Sequence, residues 1–86
     1  MLFHVTQVHD HTTCPVAAGE AVDVLFDQSV NGVTVRQALA DAAAHTLYFV
    51  LEADDLEAVR RFLAPGAGRA RAITVPVQEL SELPRP

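Results

Sequence analysis

Residues 33–44 read VTVRQALADAAA, and the two parts of this stretch pull in opposite directions. Val33, Thr34 and Val35 are all β-branched and favour a pleated strand. Gln37 through Ala44 is rich in alanine, the strongest intrinsic helix former. If the strand signal prevails the chain holds four strands, and if the helix signal prevails it holds three. We read a strand over 33–39. A regular helix over 36–44 would overturn that reading.

The neighbouring segments carry clearer periodicities. Upstream, LFHVTQV (2–8) is a strand with Phe3 and Val5 on one face and Leu2, His4, Thr6 and Val8 on the other. TTCP then marks a helix start, with Thr13 as the cap and Pro15 in the first turn. Ala18, Val22, Leu25 and Phe26 make its apolar stripe, and Asn31-Gly32 ends it. Downstream, HTLYFVLEA (45–53) alternates strictly, with Leu47, Phe49 and Leu51 against Thr46, Tyr48 and Val50. DDLEAVRRFLAPG (54–66) is a helix in which Asp54 and Glu57 have capping-box spacing. Its stripe is Leu56, Val59, Phe62 and Leu63, and Pro65-Gly66 stops it. RAITVPVQ (71–78) is a strand whose Pro76 suits an edge position. ELSELPRP (79–86) is a tail.

The resulting order is β-α-β-β-α-β, the ferredoxin-like split βαβ unit of the α+β class. It predicts one domain over 1–78 built as a four-stranded antiparallel sheet with two helices on one face. The first strand is then central, flanked by the third and fourth. Phe3, Val5, Phe49, Leu51, Ile73 and Val75 are expected to meet the helices. Leu2, Thr6, Val8, Tyr48 and Val50 are expected on the opposite face.

The chain also resembles the small dimeric α/β-barrel proteins. The resemblance covers residues 1 to about 78 in element order, and two phrases, MLFHVT…H…CP and HTLYFVLEADD…VRRFL. It implies a homodimer whose sheets pack face to face across a two-fold axis. It leaves the activity open, because that superfamily spans haem-degrading and cofactor-free monooxygenases, polyketide cyclases, muconolactone isomerases, metal-binding stress proteins and structural dimers. The apolar open face argues for the dimer independently, since monomers rarely expose contiguous apolar patches above a few hundred Å².

Composition narrows the function classes. Half of the 86 residues are hydrophobic, which is generous for a small domain and favours self-association. A formal charge of −5 argues against nucleic-acid binding, where a basic face supplies most of the affinity. No apolar run is long enough for a membrane-spanning helix, and the N-terminus shows no signal-type core. The single cysteine, Cys14, has no internal partner, so a cytoplasmic setting is the expectation. There is no nucleotide or flavin motif; Gly66-Ala67-Gly68 is only a turn after a helix stop.

The functional candidates cluster in HVTQVHDHTTCP (4–15), which holds three of the four histidines and the cysteine. Antiparallel pairing brings the end of the first strand beside the start of the third, so His9, His11, Cys14 and His45 are predicted to gather at one end of the sheet. These are ligands for borderline metals such as Zn²⁺, Cu²⁺ or Ni²⁺. Asp10 could ligate or orient an imidazole. Arg69 and Arg71 come to the same end. The plain alternative is a solvated turn with Cys14 as a small apolar residue. A second chemistry for Cys14 is a nucleophile activated at a helix N-terminus.

His4 is separate. With Thr6, Tyr48 and Thr74 it would line a polar pocket inside a barrel, where the resemblance implies proton-moving groups for an aromatic or polyketide-like substrate. The bland reading is a hydrogen bond across a dimer interface. Three classes therefore stand: a metal-binding homodimer, a cofactor-free enzyme taking a small molecule at His4, Thr6 and Tyr48, and a structural or regulatory dimer.

Overall fold

The computed structural model describes residues 1–84; of the expected tail, Arg85 and Pro86 lie outside the described residues. Strands β1 (Leu2–His9), β2 (Val33–Asp41), β3 (Thr46–Ala53) and β4 (Ala70–Val77) form one four-stranded antiparallel sheet in the order β2-β3-β1-β4. One α-helix, α1 (Leu56–Leu63), lies between β3 and β4 in the chain. The molecule is an α+β domain with β1 in the middle of its sheet, between β3 and β4. No helix among the described residues is long and apolar enough to cross a membrane.

Residues 33–44 resolve in favour of the strand. β2 pairs with β3 from Val33 opposite Ala53 to Asp41 opposite Thr46. Helix propensity differs between ordinary residues by only tenths of a kcal/mol, and a short isolated helix is marginal in water. A full ladder against β3 outweighs it. The register shifts between Val35 and Gln37, so Arg36 is the extra residue of a bulge, and its Nη2 donates to both oxygens of the Glu52 carboxylate.

Phe3, Val5, Phe49, Leu51 and Ala53 line the covered face of the sheet, against Leu25, Ala58, Val59 and Phe62. The rings of Phe26, Phe49 and Phe62 meet at centroid separations of 5.0, 5.2 and 5.4 Å. Asp55 caps α1, its carboxylate accepting the Ala58 N–H at 2.9 Å. The cap is therefore one residue after Asp54, and the box with Glu57 does not form. Leu56 lies exposed while Ala58 takes its place in the buried stripe.

Two expectations are corrected. Ile73 and Val75 are 67% and 43% exposed, on the open face. The register sets Val5 against Thr74 and Phe3 against Pro76, which leaves Ile73 and Val75 opposite Thr6 and His4. A slip of one residue sends every side chain of a strand to the other face. The covered side of β4 carries only Ala70, Ala72, Thr74 and Pro76, too little apolar surface to draw a layer over that edge.

The expected first helix is replaced by short 3-10 turns at His11–Thr13, Val16–Ala18 and Val22–Leu25. Gly19 takes φ 80 and its N–H closes on the Val16 carbonyl, ending the turn after a single round. Val16, Val22 and Val24 lower the helix propensity of what remains. Of the expected stripe, Leu25 is fully buried and Val22 and Phe26 pack on the core, but Ala18 is exposed.

Candidate metal centre

The alternation of β1 that buries Phe3 and Val5 also buries Gln7 and His9. α1 covers the sheet near the phenylalanines, whereas the far end is roofed by the thinner 3-10 segments. His9 lies under that roof. Its backbone N–H donates to the His45 carbonyl at 3.0 Å, which ties the end of β1 to the β2–β3 turn. That turn runs Ala42-Ala43-Ala44-His45; Asp41 Oδ1 accepts the Ala44 N–H, and His45 stands at φ 51. A left-handed residue at this place redirects the chain into β3 and carries the His45 imidazole towards His9.

Cys14 arrives by a different route. Asp10 Oδ1 accepts the Thr12 N–H at 3.0 Å, and the Thr13 N–H returns to the Asp10 carbonyl at 3.0 Å. This one-turn reversal folds the chain back beneath the end of β1. Thr13 Oγ1 donates to the Arg69 carbonyl, and the Arg69 guanidinium donates to the Thr13 carbonyl and to Glu20. The Thr13–Arg69 clamp holds the next residue, Cys14, in place.

The ligand atoms of His9, Cys14 and His45 all lie within 4.8 Å of one another. The two imidazole centroids are 5.2 Å apart with the rings nearly perpendicular, at 76°. His9 Nδ1 is buried and has no protein hydrogen-bond partner. Burial first, then the positive charge of a protonated His45 and of Arg69, hold the His9 imidazole below its usual value of 6.5. His9 is thereby kept neutral near pH 7, the form that can ligate. In a tetrahedral zinc site, metal bonds of about 2.0–2.3 Å place the donors roughly 3.3–3.7 Å apart, so shifts of about an ångström would close the group around an ion. Beside it lies a cavity of about 330 Å³ whose wall includes Val16, Ala17, Val22, Ala40 and Leu47.

The other candidates are placed elsewhere. His11 is exposed, its Nδ1 3.0 Å from Asp10 Oδ1, and it is not in the His9, Cys14, His45 group. Asp10 serves the 3-10 turn, and its carboxyl is lowered chiefly by the Thr12 N–H; it orients neither clustered imidazole. Cys14 precedes a three-residue 3-10 turn, not an α-helix, so the helix-terminus argument for a nucleophile has no helix to act through. His4, Thr6 and Tyr48 share the open sheet face, with His4 and Tyr48 centroids 6.3 Å apart. Thr74, opposite Val5, is on the other face and does not join them.

Sequence reasoning passed over Gln7. Its buried Nε2 donates to the Leu25 carbonyl at 3.0 Å and pins the 3-10 roof to β1. The signal was present in the alternation, which puts Gln7 on the face of Phe3 and Val5. The alanines that shape the cavity carry no such signal. A scan against protein-family models, a search of curated proteins and a search of solved structures each returned no match.

Proposed function

We propose that this chain binds one divalent transition-metal ion, zinc, copper or nickel, through His9, Cys14 and His45. The observation that carries this reading is the grouping of one donor atom each from His9, Cys14 and His45 within 4.8 Å of one another, with His9 buried and its Nδ1 without a protein partner. An unpartnered buried nitrogen costs about 1–3 kcal/mol, a cost that ligation through Nδ1 would remove. Two imidazoles and a thiolate suit borderline metals. Three protein ligands leave a fourth position free, as in metal sites that take a water or a substrate.

Calorimetric titration of untagged protein with Zn²⁺, Ni²⁺ and, under anaerobic conditions, Cu²⁺ tests this. One ion per chain is expected, with His9→Gln, Cys14→Ala and His45→Ala each lowering affinity at least ~100-fold and His11→Ala and His4→Ala leaving it nearly unchanged. Binding should weaken below about pH 6, where protons compete for the imidazoles. Equal binding by wild type and a His9→Gln, His45→Ala double variant would refute it.

We further propose that the architecture is a ferredoxin-like βαββαβ unit whose first helix is reduced to 3-10 turns, and that two copies pair through the open sheet faces. The strand order β2-β3-β1-β4 supports the first point. The apolar stretch of Leu2, Leu39, Tyr48, Val50, Ile73 and Val75, over which none of the described elements packs, supports the second.

A further inference from the structure

We propose that the fourth coordination position of this centre takes the thiolate of a small apolar thiol, whose hydrocarbon body fills the neighbouring cavity. The inference rests on the metal reading and adds the class of ligand. The cavity, about 330 Å³, is at the small end of the roughly 300–1,000 Å³ typical of ligand sites. Its wall combines the valines of the 3-10 roof with Ala17 and Ala40, whose short side chains leave the space open. His9, Cys14 and His45 belong to the same wall, so a molecule in the cavity abuts the metal.

Charge selects the head group. A divalent ion with two neutral imidazoles and the Cys14 thiolate carries one net positive charge. Asp41 also borders the cavity, but its carboxylate is exposed and accepts the Ala44 N–H, so water screens it. Against the largely apolar remainder of the wall the charge is costly unless a monoanionic ligand cancels it. A carboxylate would do so electrostatically, but a borderline ion already softened by sulfur favours a second thiolate. On binding, the sulfur forms a bond to the metal and displaces water from the fourth position. The S–H proton passes to buffer, and no oxidation state changes.

The test uses the full chain loaded with Co²⁺ under anaerobic conditions, with visible and near-ultraviolet absorption reporting ligand-to-metal bands. Cyclohexanethiol is expected to add a new thiolate charge-transfer band and to bind at least about tenfold tighter than 2-mercaptoethanol, because its ring is removed from water. It should also outcompete cyclohexanecarboxylate. Ala40→Leu and Ala17→Leu, which fill the cavity from two sides, should each abolish the preference for the ring-bearing thiol. Equal affinity for the two thiols, tighter binding of the carboxylate, no spectral change, or a preference retained in both filled variants would overturn the proposal while the metal reading stands. Failure to take up cobalt, with no uptake of zinc, nickel or copper, would overturn both.

Discussion

At the scale of single residues, His45 is the informative case. It is the one described non-glycine residue at positive φ, in a turn where glycine or asparagine is the inexpensive choice. Left-handed backbone costs a side-chain-bearing residue about 1–2 kcal/mol, partly offset by the lower entropy it has in the unfolded chain. His45→Gly should therefore leave metal-free stability unchanged or raise it by up to ~1 kcal/mol, while removing metal affinity. Urea unfolding with and without zinc separates the two effects, and a large loss of metal-free stability would mean that the imidazole serves the fold. His9 makes a pH prediction. Its pKa is lower folded than unfolded, so between those values the unfolded chain binds more protons and stability falls as pH falls. The contribution is complete above 6.5 and is lost as pH drops towards the depressed folded value. Asp10, Asp27 and Glu52 have lowered carboxyls and act with the same sign, but in a window below about 4.5. Unfolding midpoints of His9→Leu should lose the slope just below pH 6.5 and keep the acid one.

Among the elements, the joint between the 3-10 roof and the end of α1 bears the most constraint. A Cβ on Gly66 would lie 2.5 Å from the Leu25 carbonyl oxygen and 2.8 Å from Gln7 Nε2. The first of these is backbone and cannot swing aside. Gly66→Ala should destabilise the chain by about 1–3 kcal/mol and weaken metal binding, because the same roof positions Cys14. Gly68→Ala, which meets nothing, is the matched control. Denaturation midpoints check this; equal stability of the two variants would show that the joint relaxes freely. The same joint explains the missing first helix. Leu25 and Phe26 reach the core through a roof held by Gln7, and Asp27 N–H bonds the Phe62 carbonyl at 2.8 Å. Those anchors replace the regular apolar stripe on which a helix depends.

For the whole molecule, the shape is a slab of 50 × 27 × 16 Å with helix over only part of one face. Pairing through the other face would give sedimentation equilibrium masses twice the 9.3 kDa of the chain. Ile73→Glu and Leu39→Glu, both exposed positions of that face, should shift the mass to the monomer without unfolding it. A wild-type monomer at micromolar concentration would sink the dimer.

By itself the sequence determined what depends on neighbours along the chain. Strict alternation in residues 2–8 and 45–53 located β1 and β3 to within a residue, because a half-buried strand must repeat every two residues. Asp54 and Pro65-Gly66 bracketed α1 through the hydrogen-bonding needs of helix ends, although the cap itself is the next residue, Asp55. Antiparallel order alone was sufficient to bring His45 to His9, since the strand carrying one ends where the next begins. Only the tertiary structure decided the rest. Val33, Thr34 and Val35 marked the start of β2, but the alanine-rich remainder to Asp41 was held in the strand by pairing with β3, against its local helix preference. Ile73 and Val75 faced outward because the β1–β4 register is set by partners far along the chain. Cys14 entered the site and His11 did not because a one-turn reversal, clamped by Arg69, reaches 56 residues from Thr13, and hydrogen bonds across that separation leave no trace in local periodicity.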